Sequence, residues 1–596
     1  MNNLTMTIPS IHKAYAGGAK PMDIIETVFQ RIEEVNDPGI FITLFDKADV
    51  LLDGEKLGVF DPDLPLWGVP FVIKDNIDAK GYETTAACPE FAYVAKEDAF
   101  VVAELKKAGA ILIGKTNLDQ FATGLVGVRT PYGAPLNAVD PEIVPGGSSG
   151  GSGVAVGHGI VPFSLGTDTA GSGRVPAALN NIVGLKPTLG ALSATGVVPA
   201  CKSIETVSIF ALTVEDAYAA FRVANSYDAE DTYARHIENT ELTKPKPDLK
   251  VGIPSKDSIQ FMGDAAQEKS FYASVELLKE QGYGISEIDF TPLYEIAQML
   301  YYGSWVAERY TVIEELLKTN PDAIYPVTKK IISLAEERSA ADAFRGFYKL
   351  KELIRNVEPE LSEVDVLCVP TIPTFYSVED LEADPVTPNN NFGTYTNFVN
   401  LMDMCGIAVP TPAREDRRPG SVTILAGKDE DALVASVATS LECVGERKLG
   451  ATDCHFSEKT ELPASKPTTI DIAVCGAHMS GLPLNNELTS RGATFLRAAK
   501  SAADYKFYAL AGGPPSRPGM VKCAKGAGSE IELEIWSMPI EEFGGFMKTI
   551  PAPLGIGSVS LSDGSQVNGF ICEAAGAEGG EDITHLGDWR HFLQSK

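Results

Sequence analysis

Residues 145–176 read PGGSSGGSGVAVGHGIVPFSLGTDTAGSGRVP. The stretch holds two glycine-serine turns, Gly146–Gly151 and Thr169–Gly173, joined by an apolar passage from Val154 to Leu165. Glycine on either side of a serine opens backbone conformations closed to other residues and lets a substrate approach main-chain N–H groups. That is the backbone an acyl-transfer site needs. Gly-Ser clusters are ordinarily flexible linkers or simple turns. A linker, however, has no reason to run into an apolar strand such as Val161–Leu165 and then into a second glycine-framed serine.

Three other motifs compete for the same letters. A phosphate loop requires Gly-Lys-Ser/Thr at its end, and no lysine follows these glycines. The glycines at 151, 153 and 157 approximate a dinucleotide turn, but Asp140–Pro145 makes a poor first strand for a βαβ unit. Residues 147–151 satisfy Gly-x-Ser-x-Gly, the nucleophile elbow of the α/β-hydrolases, which would need a preceding strand and later acidic and histidine partners. Against the elbow stands an upstream lysine. The run LWGVPFVIKDN, residues 66–76, is a strand-like apolar segment ending on Lys74. An ammonium held in partly dry surroundings has its charged form disfavoured and can act as a base near neutral pH.

Lys74, Ser148 and Ser172 with this glycine framing resemble the amidase signature family, over roughly the first 440 residues. The resemblance implies a Ser-Ser-Lys triad with Ser172 as nucleophile, Ser148 as the bridging serine and Lys74 as the base. It also implies a cis peptide between Gly147 and Ser148, and an oxyanion hole from the main-chain N–H groups of Thr169, Ala170, Gly171 and Ser172. The segment TNLDQFATGLVG, residues 116–127, resembles the family's pocket lining, with Gly124 the candidate for a backbone contact. Arg174 reads as a residue that orders the loop. His158, a solitary histidine in an apolar run, is left as structural.

Composition sets the limits. With 596 residues, 44% hydrophobic and 22% charged, the chain is an ordinary globular protein too long for one core. No basic-then-apolar leader and no run of about eighteen apolar residues is present, so a cytoplasmic location without membrane contact is expected. The nine cysteines form no Cys-x-x-Cys pair, and neither disulfides nor a metal is expected. A net charge of −30 argues against nucleic acid as a partner, because that affinity is largely electrostatic. Any pocket for an anion must then be locally basic.

The spacing of Met22, Ile25, Val28, Phe29, Ile32 and Val35 predicts a helix over Pro21–Val35. Phe71–Ile73, Ala99–Lys107 and Ala110–Ile113 read as strand, helix and strand, and the polar stretch from Asp228 to Leu249 as a surface connection leading to a strand at Leu249–Ile253. Val364–Pro373 reads as a buried strand, Phe392–Pro410 as helix then strand, and Leu433–Leu441 as a closing helix. The fold class expected is α/β: an amidase signature fold, with a mixed β-sheet core covered by helices, over residues 1–444. A polar linker follows at 445–467, then a smaller C-terminal α+β domain at 468–596 made of short strands.

The segment LYYGSWVAER, residues 300–309, narrows the substrate. Residues eight apart on a helix lie about 80° apart in azimuth, so Tyr301 and Arg309 could reach one pocket from successive turns. Arginine suits a planar carboxylate through two parallel hydrogen bonds. This segment, and the local form DTAGSGR at 168–174, resemble the allophanate hydrolases, which implies a small anion bearing a terminal amide, allophanate, as substrate. CGAHMSGLPLN, residues 475–485, resembles the second domain of two-domain allophanate hydrolases, of a shape related to γ-glutamyl cyclotransferase-like folds. The resemblance implies that this domain consumes the first product, with His478 its acid-base group. It further implies a homodimer, no cofactor, and coupling to a urea carboxylase. A general amidase or the glutaminase subunit of a tRNA amidotransferase, with the second domain as a docking module, remains the alternative.

Overall fold

The apolar run before Lys74 forms the strand Pro70–Lys74, buried along its whole length. It lies between Ile111–Thr116 and Phe163–Asp168, parallel to both. Strands walled in on both sides and both faces are read as continuous apolar runs rather than alternating ones. The rings of Phe71 and Phe163 stack across that pairing at 5.4 Å. In this computed structural model, which describes residues 4–444, 447–456, 461–464 and 469–596, these strands belong to an eleven-stranded mixed sheet. Its order is Phe41–Leu44, Ile111–Thr116, Pro70–Lys74, Phe163–Asp168, Thr206–Ala211, Val183–Lys186, Met404–Thr411, Gly420–Gly427, Val366–Pro370, Lys250–Pro254 and Gly284–Ile288.

Helices cover the sheet, as expected for an α/β domain whose inner strands are buried along their length. Pro21–Val35 is helical, opened by its proline and closed by Asn36 in the left-handed conformation. Phe100–Lys107 and Asp431–Glu442 are helices, and residues 226–249 carry no helix or strand, matching the expected surface connection. Phe392–Pro410 differs in detail. Short helices occupy Thr387–Phe392 and Asn397–Leu401 before the strand Met404–Thr411.

Two features depart from the sequence expectations. The first glycine-serine turn runs directly into a helix, Gly150–Gly157, all of it buried, where only an apolar passage was foreseen. The segment carrying Tyr301 and Arg309 is not one helix. Thr291–Tyr302 ends at Gly303, whose extended backbone breaks the run, and a second helix, Trp305–Thr319, starts two residues later. The two side chains therefore come from different helices, which corrects the expectation of a single one.

The chain divides into two compact units, Met1–Ala464 and Ser465–Lys596. Of the expected linker, residues 445, 446, 457–460 and 465–467 lie outside the described residues, as does the expected domain start at 468. The second unit holds a five-stranded sheet, ordered Thr494–Lys500, Glu532–Pro539, Thr469–Val474, Gln566–Cys572 and Leu554–Ser560. A three-stranded sheet, Pro518–Lys522, Tyr505–Ala509 and Glu581–Asp582, completes it. Its own core gathers residues such as Ile472, Phe507, Ile535, Trp589 and Phe592.

Candidate active site

Lys74 sits at the last position of its strand and is fully buried. Its Nζ donates to Ser148 Oγ and to Thr167 Oγ1, each at 2.7 Å. Ser148 Oγ in turn lies 2.9 Å from Ser172 Oγ, and the Ser172 hydroxyl donates to the Gly124 carbonyl at 3.5 Å. One line of hydrogen bonds thus joins the three residues singled out from the sequence. The peptide between Gly147 and Ser148 is cis. Thr167 was not foreseen. It lies on the strand beside that of Lys74, a relation set by pairing across 93 residues and invisible to local spacing.

Burial strips the Lys74 ammonium of water and lowers its pKa to about 8, against the opposing pull of Glu205, Asp119 and Asp168; Arg309 pushes it further down. A neutral lysine can accept from Ser148. Because each hydroxyl carries one donor and two lone pairs, the line can then reverse and draw the proton from Ser172.

The second glycine-serine turn is held by buried polar contacts. Asp168 takes the Nε and Nη2 of Arg174 at 2.9 Å each and the Gly173 N–H at 3.0 Å. Burial alone would raise the Asp168 carboxyl, but Arg174 wins and holds it below the usual carboxylate range. Arg174 orders the loop, as read from the sequence. Asn400 donates to the Asp168 and Ile204 carbonyls. Gly171 adopts φ +136°, and a Cβ there would run into Thr396, so only glycine fits. Among the described residues, no acceptor takes the main-chain N–H groups of Thr169, Ala170, Gly171 or Ser172. These donors are free for an oxyanion.

The Gly124 loop is organised by Asp119, another residue the sequence reading passed over. Its carboxylate accepts from the N–H groups of Val126, Gly127 and Arg129 at 3.2, 3.0 and 2.8 Å, while its own N–H donates to the Ser148 carbonyl. A Cβ on Gly124 would collide with that carboxylate. Gly124 is therefore a packing requirement as well as the residue whose carbonyl faces Ser172.

Arg309 is buried, with its guanidinium over the Tyr301 ring at 5.1 Å. Nη1 reaches Thr123 Oγ1 at 3.2 Å and the Ala122 carbonyl at 3.4 Å. Nε and Nη2, and the Tyr301 hydroxyl, have no hydrogen-bond partner among the described residues. A buried guanidinium edge left open costs several kcal/mol, about 1–3 kcal/mol or more per unmet group, and such an edge matches a carboxylate. Glu205, also buried, accepts from Thr169 Oγ1 at 2.8 Å and from the Ala200 N–H at 2.6 Å, and its Oε1 has no partner among the described residues. Burial raises its pKa. Sequence spacing could not find it, because it sits 36 residues from Thr169, just before the strand Thr206–Ala211.

A model of the amidase family matches residues 23–434. The chain belongs to the amidase family. Beyond this amidase domain, residues 470–594 match a model described as the allophanate hydrolase C-terminal domain. A urea amidolyase of Lachancea kluyveri is 45% identical over 545 residues, 89% of this chain but 30% of that protein. The chain thus spans about a third of the length of that curated relative. An allophanate hydrolase of Kluyveromyces lactis is 41% identical with a TM-score of 0.76, covering 99% of both chains. A glutamyl-tRNA(Gln) amidotransferase subunit from Carboxydothermus hydrogenoformans is 31% identical over 455 residues, 71% of this chain and 93% of that protein. The mixed sheet with its helical cover and the smaller second unit agree with the expected fold class.

In the second unit, His478 is mostly buried. Its ring stacks on Phe570 at 5.0 Å and meets Phe546 edge-on at 5.4 Å, with Nε2 3.5 Å from Glu487 Oε2. Burial lowers its pKa, against the pull of Glu487. His478, Glu487, Arg517 and Thr549 line a cavity of about 110 Å³.

Proposed function

We propose that this chain hydrolyses allophanate, and that the observation carrying this reading is the open edge of Arg309 beside the Lys74–Ser148–Ser172 line. The substrate carboxylate pairs with Nε and Nη2 of Arg309, and its ureido carbonyl turns toward Ser172. Neutral Lys74 takes a proton through Ser148 as Ser172 Oγ bonds to the carbonyl carbon; the oxyanion is received by the N–H groups of residues 169–172. The proton returns along the same line to the departing nitrogen, and ammonia leaves. Water then adds to the acyl-serine, its proton drawn by the same relay, and N-carboxycarbamate is released with Ser172 restored.

The second unit, on this reading, decarboxylates that product, with His478 as its acid-base group. Two ammonia and two carbon dioxide are the final yield. The resemblance of the chain to urea amidolyases, a part of whose length it spans, supports coupling to a urea carboxylase. A homodimer and a cytoplasmic location complete the proposal, and no helix among the described residues is long and apolar enough to cross a membrane. The test is a panel of allophanate, malonamate, biuret and glutamine with ammonia measured. Preference for allophanate supports the reading; preference for glutamine or for neutral amides overturns it in favour of an amidotransferase component or a general amidase.

A further inference from the structure

Ser172, Lys74 and Arg309 are all sealed, at 3%, 0% and 2% exposure, so a substrate must enter through a neighbouring space. A cavity of about 310 Å³ has Tyr301 in its wall, the ring on which Arg309 stacks. It also has Asn397 in its wall, next in sequence to Thr396, the residue packed against Gly171 of the second serine turn. The cavity therefore borders the site at two places, the guanidinium and the N–H turn. Both wall residues hold a buried polar atom that has no partner among the described residues: the Tyr301 hydroxyl and Asn397 Oδ1.

The chemistry of the wall is selective. Five side-chain amides line it, those of Gln260, Gln298, Asn390, Asn391 and Asn397, and no charged side chain does among the described residues. In a chain of net charge −30, a mouth free of carboxylates and furnished with amide N–H donors is a path by which an anion meets no local repulsion. Amides also match an amide-bearing solute, donor to acceptor and acceptor to donor. The Asn390 side chain donates to the exposed Tyr302 hydroxyl at 2.6 Å, joining the end of the Tyr301 helix to the opposite wall.

We propose that this cavity is the antechamber through which a small carboxylate-bearing amide reaches Tyr301 and Arg309. The inference rests on the substrate class proposed above, and extends it to the route. Gln298 lies exposed at the mouth, where a charge can be added without disturbing the core. The experiment compares malonamate with malonamide, its neutral counterpart, in Gln298→Glu, Gln298→Lys and Gln260→Glu. The malonamate/malonamide ratio of kcat/KM should fall about 3- to 10-fold in each Glu variant and rise in the Lys variant. Both effects should shrink in about 0.5 M salt. A ratio unchanged in all three variants, or one that ignores salt, overturns the antechamber. Wild-type turnover of allophanate is measured alongside: its absence would refute the proposed substrate, while the malonamate ratio would still decide the route.

Discussion

Lys74 Nζ stands 2.7 Å from Ser148 Oγ at the end of a fully buried strand. Its second hydrogen bond goes to the Thr167 hydroxyl, and among the described residues no acidic side chain bonds it directly. A cation placed so dry, with hydroxyls for company, releases its proton far more readily than a surface lysine.

The pH profile should show it. With the Lys74 pKa lowered to about 8, the working, unprotonated form is gained as pH rises. Hence kcat/KM should climb about tenfold per pH unit below that value and level off above it. Lys74→Arg keeps the charge at every accessible pH, and a rate loss of at least about three decades without this profile is expected in a steady-state titration.

Replacing the proposed nucleophile tests the other end of the relay. Ser172→Ala should lose about three to six decades of kcat while its thermal unfolding stays close to wild type. Near-normal turnover would remove Ser172 from the role.

Arg309 should matter in proportion to substrate charge. Arg309→Ala is expected to lower kcat/KM on malonamate by about 10²–10³, with a far smaller loss on malonamide. Equal losses would mean that the guanidinium serves only to pack Tyr301 and Thr123.

Gly124→Ala places a methyl against the Asp119 carboxylate that gathers three N–H groups. A stability loss of about 1–3 kcal/mol by denaturant unfolding is expected, together with reduced turnover. Asp119→Asn, which weakens those charge-assisted bonds, should reduce turnover in the same direction.

For the second unit, His478→Ala should leave the initial rate of the first ammonia unchanged while slowing release of carbon dioxide, both followed in stopped-flow. A histidine with a purely structural part would instead lower the unfolding temperature and leave both rates intact.

The chemistry of the first unit was readable wherever a residue type could be explained only by its local frame. Two glycine-framed serines and one lysine ending an apolar run singled out Ser148, Ser172 and Lys74, the resemblance to the amidase signature family supplied their proposed roles, and folding joins them in one line of hydrogen bonds; Arg174 was legible as a residue that orders its loop. Thr167, Asp119 and Glu205 were not readable, since each is an ordinary polar residue until folding sets it beside Lys74, the Gly124 loop or Thr169. The long helix Ala340–Leu361 escaped as well, although its capping Ser339 and Asp342 were present as a local signal. The spacing of Tyr301 and Arg309 shows that they can meet but not how: Gly303 breaks the helical run, so the two side chains come together from separate helices rather than from successive turns of one.

By itself the order of residues determined which groups could do chemistry, because backbone freedom and apolar runs are local properties carried by neighbours in the chain. Only the tertiary structure decided how dry Lys74 is, which donors remain unpaired around Ser172, and that Arg309 keeps an open edge. Desolvation and hydrogen-bond satisfaction depend on atoms brought together from tens to hundreds of residues apart, and no local pattern encodes them.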